Sequence, residues 1–297
     1  PYILSFGIYT GVCLSVVGRR IVLQKAMGYI ELMRPIYVLM ASLAVFVGGI
    51  VGGYQFQTIG LFFAMIVVFL MTAGSMAIND YFDRNIDQIA HPDRPLPSGK
   101  LSSHDALYFS FVSFSIAVGL SVAINISCFG IVVTGLVLMM IYERYYKNIG
   151  FIGNLLTAFI IAMALILGGA AVGNVHDTLL LAFMAFFIML GREIFMDVKD
   201  VEGDSAQRVT LPMTIGIKNA LYMGGIFIAV AVALTPLPYW WNALSVWYIV
   251  IIVPADIFFL LAILTPLKDI TNIGISIQIL LLNSGFALLG FILGIVG

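Results

Sequence analysis

The chain alternates long apolar runs with short polar connections. The apolar runs cover residues 36–53, 59–78, 105–122, 124–141, 151–172, 178–196, 219–235, 244–264 and 272–296. Most of them approach the roughly 20 residues that a helix needs to cross the hydrocarbon core of a bilayer. The pattern therefore predicts an all-α fold, an integral membrane bundle of nine transmembrane helices.

The composition supports this class. Hydrophobic residues make up 62% of the 297 residues and charged residues only 10%, whereas a soluble domain carries about 25% charged residues. No basic patch or nucleic-acid motif is present, so a nucleic-acid partner is not expected. Cys13 and Cys128 both stand in apolar surroundings and do not suggest a disulfide framework.

The basic residues are distributed unevenly between the two sides of the predicted bundle. All 14 Lys and Arg precede the first span or flank the connections after the second, fourth, sixth and eighth spans. The positive-inside rule then predicts a multi-pass cell-membrane protein with a cytoplasmic N-terminus and an external C-terminus. Residues 1–27 are predicted to be an N-terminal extension, and 28–297 a single transmembrane domain.

The most polar stretch of the chain follows the second span. Asn79, Asp83 and Asp87 are spaced by four residues, and Asp80 stands three before Asp83. On a helix these side chains share one face. Carboxylates this close repel one another, and more strongly beside a bilayer than in water. A cationic partner is therefore expected among them.

A second acidic stretch follows the sixth span, and its spacing is similar. Asp197, Asp200 and Asp204 again share one helical face. Asp83 and Asp200 are 117 residues apart, and so are Asp87 and Asp204. Equal spacing after even-numbered spans predicts two four-helix pseudo-repeats plus one further helix, with the active site at the cytoplasmic end.

The two stretches have the chemistry of a metal–diphosphate site. Oxygen ligands without a Cys or His array suit Mg²⁺, which binds one or two carboxylates together with substrate phosphates. Cations that would bind oxyanions stand nearby in the sequence: Arg84, Arg94, Lys147, Arg192, Lys199 and Arg208.

Two other interpretations compete with this one. The acids would be merely solvated if they lay in loops, but two matched clusters, each at the end of a span, argue against that. A cation-coupled transporter is the alternative from another class, since acids within membranes mark ion pathways. Against it, the acids gather at one membrane face, and the outer half offers little beyond Asp177 and Asp256.

The motifs now in hand resemble those of the UbiA-type superfamily of intramembrane prenyltransferases. The matches are NDxxDxxxD at Asn79–Asp87, RPLPSG at Arg94–Gly99, DxxxD at Asp200–Asp204 with Thr210–Pro212 and Gly216 after it, Arg34-Pro35, and Tyr142 with Lys147. Within the superfamily, the sequence GREI…DVKDVEGD is most similar to that of the archaeal digeranylgeranylglyceryl phosphate synthases. The resemblance covers residue 28 to the C-terminus.

The resemblance implies a reaction. Two Mg²⁺ ions would activate a prenyl diphosphate donor, and a geranylgeranyl group would pass to the free hydroxyl of geranylgeranylglyceryl phosphate, a lipid-like acceptor. An aromatic acceptor such as a quinone precursor is the alternative within the superfamily. Membrane lipids are the remaining expected partners, and oligomeric state is left open.

The resemblance also implies roles for single residues. Asn79 and Asp83 are expected to hold most of one ion's coordination, and Asp200 and Asp204 that of the other. Asp80, Asp87 and Asp197 are expected to bind directly, through water or as outer partners of these ligands. The expected catalytic set comprises Asp83, Asp87, Asp200 and Asp204, with Tyr142 stabilising a carbocation through its ring. The alternative for Tyr142 is a tyrosine that sits at the membrane interface without a catalytic role. The expected diphosphate contacts are Arg34, Arg84, Arg94, Lys147, Arg192, Lys199 and Arg208. Cytoplasmic loops at about 80–104 and 197–218 are expected to cap the site.

Overall fold

The protein is helical throughout the residues that the computed structural model describes, which are 22–53, 59–147, 149–204, 209–241 and 243–297. The first helix, α1, spans Val22–Met33. The others are α2 (Pro35–Val51), α3 (Ile59–Ala90), α4 (Ser103–Ile124), α5 (Ile126–Ile141), α6 (Gly150–Ala171), α7 (Leu179–Asp204), α8 (Leu211–Ile215), α9 (Ile217–Leu234), α10 (Leu237–Trp240), α11 (Val246–Lys268) and α12 (Ile273–Val296). A π-helical segment, Tyr142–Tyr146, follows α5.

The nine predicted spans each contain a helix of this structure. Eight helical stretches in the described ranges are long and apolar enough to cross a membrane, and α1 with α2, a pair bent at Arg34, makes a possible ninth. The pattern of apolar runs was sufficient to locate the membrane-spanning helices, because each run has about the length that a helix needs to cross the bilayer. The prediction of an all-α membrane bundle is confirmed.

Two of these helices continue beyond their apolar parts. α3 has 32 residues and α7 has 26, and both continue through their acidic motifs. The loop predicted at 80–104 is therefore shorter, since helix continues to Ala90 and α4 begins at Ser103. The loop predicted at 197–218 likewise starts as helix and contains α8, while 205–208 lie outside the described residues.

The N-terminal extension predicted for 1–27 lies largely outside the described residues. Its last part, from Val22, already belongs to α1, so the predicted boundary at residue 28 falls inside a helix. The apolar pattern missed α1 because Lys25, Glu31 and Arg34 interrupt it.

The described residues form two compact units. Unit 1 comprises 22–38 and 72–113, and unit 2 comprises 39–71 and 114–297. The small core of unit 1 joins α1, α3, the connection after α3 and the start of α4 through Leu32, Ala77, Leu101 and Ala106, respectively. Gly28 lets α1 lie close to the Leu101 side chain, because a Cβ there would be 3.0 Å from Leu101 Cγ.

The larger core of unit 2 is built on α7. This helix packs against α6 and α9, and α11 packs against α12. Fully buried side chains such as Phe195, Ile194 and Ile228 fill the space around α7. These contacts hold the acid-bearing end of α7 on a rigid support.

Within unit 2, α2 and α6 cross at two glycines. A Cβ on Gly48 would lie 2.1 Å from the carbonyl oxygen of Leu165, and one on Gly168 would lie 2.0 Å from that of Val45. The contact is reciprocal, with the same three-residue spacing on each helix. Small residues that let backbones meet are the usual basis of helix packing in lipid, and the reciprocity agrees with the predicted pseudo-repeat.

The crossing gives a first prediction. Gly168→Ala should lower the free energy of unfolding by about 1–3 kcal/mol, because its methyl group would overlap a backbone carbonyl that cannot move alone. SDS-induced unfolding of the purified protein measures this. Gly130→Ala is the matched control, since a Cβ there meets nothing within 4 Å. Equal effects of the two substitutions would contradict the close crossing.

Candidate functional site

The first acidic motif lies at the C-terminal end of α3, in unit 1. All four residues, Asn79, Asp80, Asp83 and Asp87, are helical as predicted. They differ in burial: Asp80 and Asp87 are only 2% and 3% exposed, whereas Asn79 and Asp83 are half-buried. The helix thus has a buried and a more accessible acidic edge.

Arginines stand among the buried acids. Arg34 donates from Nη2 to Asp80 Oδ1 at 2.6 Å, and Arg94 Nη1 lies 2.7 Å from both oxygens of Asp87. Arg94 Nη1 is also 3.8 Å from Asp80 Oδ1. These are the cationic partners that carboxylate repulsion led us to expect. A carboxylate this buried needs such a partner, because an isolated charge away from water is strongly unfavourable.

Arg34 occupies an unusual backbone position. It joins α1 to α2 with a φ of 49°, which places a non-glycine residue in the left-handed region, directly before Pro35. Such a conformation costs of order 1–3 kcal/mol and persists only where its surroundings enforce it. The ion pair with Asp80 supplies part of that enforcement.

The connection from α3 to α4 holds Arg94 in place. Its backbone N–H donates to His91 O, and Ser98 N donates back to Arg94 O. At the other end, Ser102 and Asp105 exchange hydrogen bonds that cap α4. Arg94 therefore sits in an ordered turn between two helices.

Arg84 behaves differently from Arg34 and Arg94. Its Nη1 donates to Tyr81 O on its own helix at 2.8 Å, and its guanidinium lies over the Tyr81 ring, 4.8 Å from the centroid. The structure thus places this predicted diphosphate contact against α3 itself.

The second acidic motif lies at the end of α7, in unit 2. Asp197 Oδ2 accepts a hydrogen bond from Asn154 Nδ2 of α6 at 2.8 Å. Lys199 and Asp200 are exposed, and Asp204 ends the helix. Arg208 falls outside the described residues. Asn154 was not among the predicted site residues, although a lone amide inside an apolar span is itself a signal of a buried polar contact.

The π-helical segment after α5 carries Tyr142 and precedes Lys147. Lys147 Nζ pairs with Glu143 Oε2 at 2.8 Å, and the two side chains are only 7% and 4% exposed. The segment lies close to α6, where a Cβ on Gly153 would be 2.8 Å from Tyr146 O. π-turns inside α-helices are often found at functional sites. Glu143 was not predicted, because a single acid has no spacing pattern.

Arg192 belongs to the buried part of α7. Its Nη1 donates to Glu193 Oε1 at 3.2 Å, and its side chain is almost fully buried. A guanidinium inside a membrane span is rare and is usually functional. It lies one to two turns before Asp197 on the same helix.

The candidate ligands are of the type that Mg²⁺ prefers, but they do not form a preformed metal cage among the described residues. The candidate ligands are carboxylate and amide oxygens, which Mg²⁺ prefers. Yet no three acidic, His or Cys side chains among the described residues converge into a ready-made metal cage. A hard cation that keeps waters and shares phosphate oxygens needs no such cage, so the acids suit a metal that arrives with its substrate.

The Lys147–Glu143 pair gives a second prediction. Lys147→Met should lower the free energy of unfolding by about 3 kcal/mol, because it removes a cation from a buried carboxylate. The double variant Lys147→Met/Glu143→Gln should recover most of that loss, as measured by unfolding in SDS. If the double variant is as unstable as the single one, the pair does not act as a unit.

The chain is similar to known proteins in both sequence and structure. The family model described as the UbiA prenyltransferase family matches residues 38–272. Digeranylgeranylglyceryl phosphate synthase of Methanosphaera stadtmanae is 37% identical over 233 residues, which are 78% of this chain and 85% of that protein. A solved structure of digeranylgeranylglyceryl phosphate synthase has a TM-score of 0.76 at 32% identity and covers 92% of this chain and 99% of its own.

A more distant structure has the same fold. A UbiA homologue from Archaeoglobus fulgidus, bound to GPP and Mg²⁺, has a TM-score of 0.60 at 20% identity, covering 88% of this chain and 99% of its own. The family match extends over most of the chain and includes both acidic motifs. The chain belongs to the UbiA prenyltransferase family.

Proposed function

We propose that the protein is a digeranylgeranylglyceryl phosphate synthase. It transfers a geranylgeranyl group from geranylgeranyl diphosphate to the free hydroxyl of geranylgeranylglyceryl phosphate and releases diphosphate. The observation that carries the proposal is the placement of acids and arginines together at the end of α3, Asp80 with Arg34 and Asp87 with Arg94. The choice of acceptor rests on the names of the curated relatives.

Two Mg²⁺ ions would serve the reaction, one at each acidic motif. The candidate ligands are Asn79, Asp80, Asp83 and Asp87 on α3 and Asp197, Asp200 and Asp204 on α7. Bound there, Mg²⁺ would neutralise the diphosphate and so make it a better leaving group. The oxygen-only donor set supports this assignment, as does the presence of Mg²⁺ in the Archaeoglobus protein of the same fold.

The cations of the chain would bind and orient the diphosphate. Arg34, Arg94 and Lys147 are held by carboxylates, so their charges are in position before substrate arrives. Fixed charges of this sort usually make the largest contribution to catalysis, because no reorganisation is needed during reaction. Arg192, Lys199, Arg84 and Arg208 remain candidates for the same task.

The bond changes follow from this arrangement. The C1–O bond of the donor breaks, its electron pair leaves with the diphosphate, and positive charge develops on the allylic group. The acceptor hydroxyl oxygen then bonds to C1 and loses its proton, which gives the ether. The ring of Tyr142, on the π-helical segment that precedes Lys147, would stabilise the allylic cation through its π face.

Water must be kept from this cation. The connection at 91–102 would help to exclude it, since its backbone hydrogen bonds and the buried Pro95 and Leu101 side chains give it a fixed shape. The connection after α7, including α8, would do the same for the second motif. Both would lie on the cytoplasmic side, where the positive-inside rule puts the charged connections.

The reaction gives a third prediction. Purified protein with Mg²⁺, labelled geranylgeranyl diphosphate and geranylgeranylglyceryl phosphate should form labelled diether. EDTA should abolish product, and Asp83→Ala or Asp200→Ala should lower kcat by about 10²–10³, since each removes charge stabilisation of the leaving group. Asp93→Ala is the matched control, because this carboxylate is exposed and next to Arg94.

The same assay tests the acceptor. An aromatic acceptor, 4-hydroxybenzoate, is offered in parallel and should give no product. Product from the aromatic compound alone would keep the chemistry but overturn the acceptor. No Mg²⁺-dependent product from either acceptor, with folded protein, would overturn the proposed function.

Membrane orientation gives a fourth prediction. His176→Cys and Asp93→Cys place single thiols at exposed positions in connections on opposite sides of the predicted bundle. In intact cells a membrane-impermeant maleimide should label the first and not the second, and lysis should expose both. Cys13→Ser removes the competing thiol, since Cys128 is buried. Labelling of Asp93→Cys in intact cells would reverse the proposed topology.

A further inference from the structure

We propose that residues 239–247, the aromatic segment, are an interfacial anchor that binds the lipid headgroup layer at the membrane face opposite Lys218 and Lys268. The segment joins α9 to α11 and carries all three tryptophans of the chain, Trp240, Trp241 and Trp247. None of these residues belongs to either acidic motif, so the anchor does not depend on the proposed function.

The aromatic segment lies where the chain reverses between two helical stretches of membrane-spanning length. Ile217–Trp240 has 24 residues and Val246–Lys268 has 23. At 1.5 Å per residue each is about 35 Å long, slightly more than the roughly 30 Å of the hydrocarbon core. Because α9 and α11 also pack against each other, the residues that connect them lie near one edge of that core.

Charge distinguishes the two ends of this helix pair. Lys218 stands in the first turn of α9, and Lys268 ends α11. Residues 236–247, at the other end, contain no charged side chain. The aromatic segment therefore suits a lipid layer that it contacts through rings and N–H donors, without ionic contacts to the headgroups.

The two sides of the aromatic segment differ in burial. Pro238 and Leu244 are buried in the protein. Trp240, Trp241 and Trp247 are 70%, 65% and 53% exposed, respectively. A group of large exposed rings of this kind marks a surface that another phase or molecule covers.

Hydrogen bonds give the aromatic segment a fixed shape. Trp241 N donates to Leu237 O at 3.0 Å within the short helix α10. The Tyr248 hydroxyl of α11 donates to Thr235 O at 2.8 Å, which ties the start of α11 to the end of α9. The rings are thus presented by an ordered turn, so little conformational entropy is lost when they bind.

The tryptophans have polar as well as apolar surface to satisfy. Within the part of the chain that the structure describes, none of the three indole N–H groups donates a hydrogen bond. A ring deep in hydrocarbon would leave that donor unsatisfied, and a ring in water would leave its apolar faces exposed. The headgroup layer meets both requirements, because its phosphate and glycerol oxygens accept hydrogen bonds directly above the acyl chains.

The test uses the intrinsic fluorescence of the full-length protein, since all three tryptophans lie in the aromatic segment. The purified protein is reconstituted into phosphatidylcholine vesicles that carry bromine either near the headgroup end of the acyl chains or near their far ends. Shallow bromine should quench the emission about twofold more strongly than deep bromine, because the rings of an anchor lie at headgroup level. Iodide in the water should quench less than shallow bromine does.

A depth reference is available in the same chain. Phe258 is half-exposed near the middle of α11. The variant Phe258→Trp, made in a chain whose three native tryptophans are replaced by Phe, places one indole at mid-membrane depth. Deep bromine should quench this variant more strongly than shallow bromine, and circular dichroism checks that it is folded.

Lipid charge is varied in a further arm. Phosphatidylglycerol, an anionic lipid, is added to the vesicles, and the quenching of the native protein is measured again. The ratio of shallow to deep quenching should not change, because the aromatic segment has no charge with which to recognise an anionic headgroup. A ratio that follows the anionic lipid content would overturn the proposed mode of binding.

The remaining outcomes also decide the question. Stronger quenching of the native protein by deep bromine would place the rings in hydrocarbon and overturn the anchor. Quenching by iodide alone would place them in water, and quenching by neither agent would indicate that a second copy of the chain covers them; either result would overturn it too. Depth is measured without substrate, so a failure of prenyl transfer would count against the proposed function and not against the anchor.

Discussion

A charge beside the hydrocarbon core must have a partner of opposite sign, and this constraint organises the polar end of α3. Asp80 and Asp87 are buried against Arg34 and Arg94 at distances of 2.6 and 2.7 Å. An isolated charged carboxylate in such a place would be strongly destabilised. Pairing with an arginine offsets much of the free-energy cost of burying the charge. The pairs tie the α1–α2 corner and the turn after α3 to one helix, so that fold and site depend on the same contacts.

The same constraint acts in unit 2 with different residues. Lys147 and Glu143 form a buried pair at the π-helical segment, and Asp197 accepts a hydrogen bond from Asn154. These groups lie on helices held by the close-packed core of α6, α7 and α9. A prenyltransferase needs fixed charges next to an apolar helical core. Its hydrocarbon chains belong in the bilayer, whereas the diphosphate must bind fixed charges at the edge of the bilayer.

Much of this could be predicted from the sequence. Spans of about 20 apolar residues fix the number of helices, and four-residue spacing shows that the acids of α3 and α7 share a helical face. Repulsion between those acids led to the expectation of cations, which Arg34 and Arg94 fulfil. What spacing cannot show is which carboxylate faces which cation, since burial separates Asp80 and Asp87 from Asn79 and Asp83 only in the folded chain. Glu143 was missed because a single acid has no spacing pattern, and the partner of Asn154, Asp197, is known only from the folded chain. α1 was missed because its charges interrupt the apolar pattern.

The most direct test of this account is a crystal structure of the protein with Mn²⁺ and an unreactive thiodiphosphate analogue of the donor, in which anomalous scattering locates the metal. The account predicts a metal peak within about 2.2 Å of a carboxylate oxygen of the acidic motifs on α3 or α7, with arginine or lysine nitrogens at the phosphate oxygens. A diphosphate bound away from both motifs, with no metal peak at either, would contradict it.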